Sequence, residues 1–110
     1  MAFVINGKEV DTDPEGFLRD LGDWSEDLAN AIAAGENLAL TDAHWEVINF
    51  LRQGYAETGT VPNIRQMQKS FTAEYGPEKG NSKYLYALFP YGPAKQGCRI
   101  AGLPKPTGCV

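Results

Sequence analysis

Thr41-Asp42-Ala43-His44-Trp45-Glu46-Val47-Ile48-Asn49-Phe50-Leu51-Arg52-Gln53-Gly54-Tyr55-Ala56-Glu57-Thr58-Gly59 is the most regular stretch of the chain. Trp45, Ile48, Leu51 and Tyr55 recur at three- and four-residue spacing, which lines one side of a helix with apolar groups. Thr41 is a good N-cap, and Gly59 ends the element where a left-handed residue is wanted. This helix sets the class: its apolar stripe must be buried against further helices, and the flanking sequence supplies them.

Downstream, Pro62 opens a third helix with Ile64, Met67 and Phe71 on its face, stopped by Gly76-Pro77. Asn81 or Ser82 starts a fourth, carrying Tyr84, Leu85, Leu88 and Phe89 and broken at Pro90. A short fifth runs from Pro93 to Ala101, with Gly102 as its C-terminal glycine. Upstream, Ser25 caps the first helix, Glu26 and Asp27 suit its positive end, and Leu28, Ala31 and Ile32 face inward until Gly35.

Before Ser25 the pattern changes. Phe3-Val4-Ile5 and Lys8-Glu9-Val10 flank Asn6-Gly7, the pair that a type I′ hairpin turn selects because both positions need positive φ. Asp13-Pro14-Glu15-Gly16 reads as a second turn, returning the chain into a third strand at Phe17-Leu18. The expected fold is therefore α+β and mainly α. A three-stranded antiparallel meander packs on an array of about five helices, in one domain over residues 1–101. Residues 102–110 then form an extended, flexible arm, because Pro104 and Pro106 remove backbone donors and Gly108 supplies a hinge.

The 110 residues are 43% hydrophobic, enough for a core and too apolar for a disordered chain. No apolar run approaches the roughly 20 residues of a spanning helix, and no secretory signal is visible at the N-terminus. We expect a cytoplasmic protein without stable membrane insertion. The net charge of −4 argues against nucleic acid as the main partner. The charge is segregated: all 14 acidic residues lie at or before Glu78, whereas the rest of the chain carries Lys79, Lys83, Lys95, Arg99 and Lys105. Either the cationic end meets an anionic partner, or it rests on its own acidic body.

Cys98 and Cys109 are the two cysteines. Two are too few for a disulfide framework or a zinc site, and no metal is expected. One thiol sits on the last helix and the other on the arm, which spans at most about 35 Å when extended. Retracted, the arm could bring the sulfurs within disulfide reach. Such a pair reads as a redox or sulfur-transfer couple, the alternative being an inert core cysteine at 98 and an incidental one at 109. Arg99, Lys95 and Lys105 are expected to favour the Cys98 thiolate; that the same cations steer an anionic sulfur species is the lesser reading beside three simply solvated side chains. His44, the sole histidine, reads as a surface residue in the first turn of its helix. The segment Gly59-Thr60-Val61-Pro62 between two helices has the outline of a helix–turn–helix, with Arg65 and Lys69 on the second helix. This keeps open a DNA-binding regulator with a cysteine redox switch. A structural subunit that plugs a reductase is a third class.

The run from Phe89 to Val110, with Pro90-Tyr91-Gly92-Pro93-Ala94-Lys95-Gln96-Gly97-Cys98-Arg99-Ile100-Ala101-Gly102-Leu103-Pro104-Lys105-Pro106-Thr107-Gly108-Cys109 within it, closely resembles the DsrC family. The resemblance extends through Gly80-Asn81-Ser82-Lys83-Tyr84-Leu85-Tyr86 and Leu40-Thr41-Asp42-Ala43-His44-Trp45 to effectively the whole chain. That family includes the so-called gamma subunit of dissimilatory sulfite reductase and TusE-like proteins that relay sulfur for tRNA thiolation. The TusE-like members keep the penultimate cysteine and lack the upstream one, so Cys98 together with Cys109 implies the DsrC side.

The resemblance implies a sulfur-carrying co-substrate rather than an enzyme. Cys109 accepts or delivers sulfur at the sirohaem of the reductase DsrAB, and Cys98 attacks the sulfur attached to it, giving a trisulfide or disulfide. Sirohaem and iron–sulfur clusters belong to that partner; this chain is expected to bind no cofactor. Further implied partners are the cytoplasmic part of a DsrMKJOP-type membrane complex and, in sulfur oxidisers, sulfurtransferases of the DsrEFH or TusA type. Arg99, Lys105, Lys95 and Gly108 are the candidate contacts to a partner or an anion.

Overall fold

The computed structural model describes residues 2–107. Strands β1 (Ala2–Ile5) and β2 (Lys8–Asp11) form an antiparallel hairpin in which Phe3 faces Val10 and Val4 faces Glu9. Asn6 and Gly7 take φ of 52° and 81°, as a type I′ turn demands. The hairpin packs on helix α1 (Glu26–Gly35), and Asn6 reaches Asp27 at 3.1 Å.

The expected third strand is reduced to one bridge. The chain does turn back at Asp13-Pro14-Glu15-Gly16, where the Asp13 carboxylate accepts the N–H groups of Glu15 and Phe17. Leu18 then pairs with Thr12 as an isolated bridge, and the sheet has two strands. Pairing stops because Asp20 takes the Gly22 N–H and turns residues Leu21–Asp23 into a 3-10 helix. Phe17 and Leu18 are still buried, so the segment fills the core without extending the sheet.

The helical array follows the sequence. Ser25 Oγ accepts the Leu28 N–H at the start of α1. Helix α2 (Asp42–Thr58) ends on Gly59 at φ 72°. Helix α3 (Ile64–Tyr75) begins two residues after Pro62, because Asn63 and Gln66 form a reciprocal capping box. A single turn, α4 (Pro77–Gly80), intervenes before α5 (Ser82–Leu88). It lies so close to α3 that a side chain on Gly80 would collide with Thr72.

Helix α6 (Pro93–Ile100) is the centre of the domain. It packs against α1, α2, α3 and α5, and Ala94, Gln96, Gly97, Cys98 and Ile100 are all buried. Around it lie Leu28, Ile48, Leu51, Met67, Phe71, Leu85 and Phe89. An eight-residue helix is marginal alone in water; its environment holds it. Among the described residues no helix is long and apolar enough to cross a membrane.

Candidate functional site

Cys98 sits inside this central helix with no exposed surface. Desolvation pushes its thiol up to about 12. The expectation that neighbouring cations favour the thiolate is therefore corrected, and the reason is where those cations go. The Arg99 guanidinium grips the Glu36 carboxylate bidentately, Nε to Oε2 at 2.8 Å and Nη2 to Oε1 at 2.7 Å. Gln96 donates to the same carboxylate at 2.9 Å, while its own oxygen accepts the Tyr91 N–H. Lys95 and Lys105 both turn to Glu15, at 3.3 and 2.9 Å. The two lysines, Lys105 first, hold the Glu15 carboxyl below its usual range. Of the two readings of the charge segregation, these contacts favour the bland one: the cationic end rests on its own acidic body.

The segment after Cys98 is closely held. The Leu103 N–H donates to the Cys98 carbonyl at 2.9 Å. The Trp24 indole N–H donates to the Ile100 carbonyl at 2.9 Å, and Arg52 Nη1 to the Ala101 carbonyl at 2.7 Å. The Arg52 guanidinium also stacks over the Trp24 ring at 3.7 Å. Gly102, at φ 71°, passes under this pair, where a Cβ would strike the Trp24 side chain. These two residues cap the C-terminal end of α6 and fix the direction in which the chain leaves it. The sequence does not single out either residue for this role, because their partners Ile100 and Ala101 lie seventy-six and forty-nine residues away.

The stretch expected to be a free arm from residue 102 is seated on the body as far as Pro106. Leu103 and Pro106 are buried, and Lys105 adds its ion pair with Glu15. Gly108 and Cys109 lie outside the described residues, so the expectations placed on them stand apart from this geometry.

His44 is buried rather than exposed. Its Nδ1 accepts the Thr41 N–H at 3.0 Å, which leaves Nε2–H to donate to the Leu88 carbonyl at 2.8 Å. Both ring nitrogens are thus structural, tying α2 to the end of α5. Among the described residues no cluster of His, Cys, Asp or Glu could hold a metal ion.

A mainly helical domain, with a small hairpin and a cysteine buried in its last helix, defines a class of small thiol protein without an enclosed cofactor cavity among its described residues. Comparison with known proteins gives the class its family. Residues 4–110 match the family described as DsrC like protein, and the chain belongs to it. It is 53% identical to the sulfurtransferase TusE of Salmonella paratyphi A over 107 residues, covering 97% of this chain and 98% of that one. Its fold matches the solution structure of Allochromatium vinosum DsrC with a TM-score of 0.90, at 54% identity and full coverage of both chains. It also matches the oxidised gamma subunit of the dissimilatory sulfite reductase (DsrC) from Archaeoglobus fulgidus, with a TM-score of 0.85, 42% identity and full coverage of both.

Proposed function

We propose that this chain is a sulfur-carrier co-substrate of a dissimilatory sulfite reductase, working in the cytoplasm. The observation that carries the reading is Cys98. Identity alone does not separate the two branches, since 53% to a TusE and 54% to a DsrC are equivalent. A second thiol eleven positions before Cys109 is what a relay protein has no use for and a two-thiol carrier requires.

Cys109 is the acquiring thiol. As thiolate it attacks the outer sulfur of a donor persulfide; the donor leaves as thiolate and Cys109 becomes the persulfide. Where the sulfur attached to Cys109 still carries a hydroxyl, attack by Cys98 forms the trisulfide and expels water. Where it is a plain persulfide, attack on the inner sulfur gives the disulfide and releases hydrosulfide. The sirohaem that handles the sulfur oxyanion belongs to the reductase. Arg99 acts indirectly, locking α6 to Glu36 rather than binding the anion.

The burial of Cys98 makes the order of events strict. A thiol raised to about 12 is a poor nucleophile at neutral pH. It becomes one only after the packing around it is displaced and water or a partner's cation reaches it. Docking on a partner supplies that displacement in this account, and a carrier that stays inert until docked does not lose its sulfur to bystanders.

Variants test the roles. With reductase and sulfite, Cys109→Ala should carry no sulfur at all. Cys98→Ala should load Cys109 but form no internal bridge. Sulfur transfer that survives Cys109→Ala would overturn the assignment. Relay of sulfur for tRNA thiolation is the second reading, favoured by the TusE likeness; it predicts that Cys98→Ala is fully active. The DNA-binding reading is disfavoured by Glu57 and Glu74, which line one cleft beside α2 and α3 and would repel phosphate.

A further inference from the structure

Helix α2 carries a glycine for which the body of the protein gives no reason. Gly54 lies well inside Asp42–Thr58, where glycine is among the poorest helix formers. Its backbone is helical, so no positive φ calls for it. A β-carbon built there would meet nothing within 4 Å. Gly97 of α6 is the other helix-interior glycine among the described residues, and its small size is explained: a side chain there would crowd Leu51 at 3.1 Å. Gly54 has no such neighbour.

What Gly54 does is join two clefts on the flanks of α2. The first, of about 330 Å³, has Leu51, Tyr55, Val61 and Pro62 in its walls. The second, of about 240 Å³, is lined by Gln53, Glu57, Glu74 and Tyr75. Phe50 and Gly54 belong to both. Phe50 stands edge-on to Phe71 and Tyr75, with ring centres 5.1 and 6.2 Å away, and makes a firm rim between the clefts. One turn further along, at Gly54, that rim has no side chain.

We propose that this face of α2 is a docking groove for a partner protein. An extended segment of the partner crosses the helix at Gly54, with an apolar side chain in the first cleft and an arginine or lysine in the second. Charge decides the occupant. Among the described residues neither Glu57 nor Glu74 has an ion pair. Gln53 donates to one Glu57 oxygen at 3.2 Å and leaves the other open. Two carboxylates beside the Tyr75 ring suit a cation, which the ring face also attracts. The molecule already uses this ring so, since the Lys79 ammonium stands 5.6 Å from its centre. The first cleft has no charged side chain in its lining and takes the apolar neighbour. Two or three extended residues span the roughly 10 Å width of a helix, and with no Cβ at position 54 the visiting backbone can lie close against α2. The inference goes beyond the carrier reading and does not depend on what the thiols hold.

The test titrates the isotope-labelled full chain with the peptide acetyl-Gly-Phe-Ala-Arg-Gly-amide and follows the backbone amide resonances. We expect shifts centred on Gly54, Tyr55, Glu57 and Tyr75, with half-saturation at about 1 mM for so small a probe. Glutamate in place of the peptide's arginine should weaken binding about tenfold or more, and so should Glu57→Gln combined with Glu74→Gln. Gly54→Ala should raise the melting temperature by about 4 °C yet weaken binding about threefold or more. Gly54→Leu should abolish binding. A Gly54→Ala chain that is more stable and binds equally well would overturn the proposal, because the glycine then serves no visitor. So would shifts confined to another face, none at about 10 mM peptide, or an equal response to the glutamate peptide. A DNA duplex that moved the same amides where the peptide did not would overturn it too, giving the face to nucleic acid.

Discussion

Glu15 and Lys105 lie ninety residues apart in sequence and meet at 2.9 Å. The same carboxylate holds Lys95 of α6, so one side chain from the second turn fastens both the cysteine helix and the segment that follows it. This clasp is exposed, so it ties the segment down while adding little to global stability. Glu15→Gln should therefore leave the melting temperature nearly unchanged while raising the alkylation rate of Cys98 severalfold. Acid should loosen the same clasp, read by hydrogen exchange at the Leu103 and Lys105 amides rather than by alkylation, whose thiolate is lost at low pH. The Glu15 carboxyl titrates below its reference of 4.5 in the fold, so its contribution is present above that pH and is lost as pH falls below it. An unaltered Cys98 rate in Glu15→Gln would show that Leu103 and Pro106 hold the segment unaided.

Cys98 gives the opposite pH signature. Its thiol is raised from 9.0 to about 12, so the folded state keeps a proton that the unfolded chain gives up. The stability it contributes is intact below pH 9 and drains away between pH 9 and about 12. Urea unfolding of wild type and Cys98→Ala at pH 8 and pH 10.5 should show the wild type losing more on the alkaline side.

Gly102 and Trp24 define the exit from α6. Gly102→Ala forces a β-carbon into the indole at positive φ, and should cost about 2 kcal/mol or more. Trp24→Phe removes only the donor to the Ile100 carbonyl and should cost about 1–2 kcal/mol. Denaturant midpoints at constant m-value read both. A neutral Gly102→Ala would mean that the chain can leave α6 along another path.

His44→Ala strands the Thr41 N–H and the Leu88 carbonyl and removes an edge-to-face contact with Phe89. It should destabilise by about 2 kcal/mol without changing any thiol reactivity. An effect on sulfur loading at unchanged stability would instead give His44 a chemical role.

What the sequence shows clearly is local. Capping residues and apolar spacing place α1, α2, α3 and α5 because each signal lies within its own helix. The hairpin is legible for the same reason, since Asn6-Gly7 needs no partner elsewhere. What it hides depends on distant pairs. The burial of His44 rests on Leu88, forty-four residues away, and the neutralised Arg99 on Glu36, sixty-three away. Proximity in sequence suggested that Arg99 serves Cys98; in space it serves α1. The third strand fails because the choice of Asp20 to cap a 3-10 turn outweighs the β propensity of the two apolar residues before it.

The most direct test of the carrier account is the non-reduced mass of the native chain after anaerobic reaction with reductase and sulfite, followed by peptide mapping. The account predicts a gain of one sulfur atom less two hydrogens, with the peptides of Cys98 and Cys109 joined through it. An unchanged mass while sulfide accumulates, or sulfur found only on residues other than these two, would contradict it.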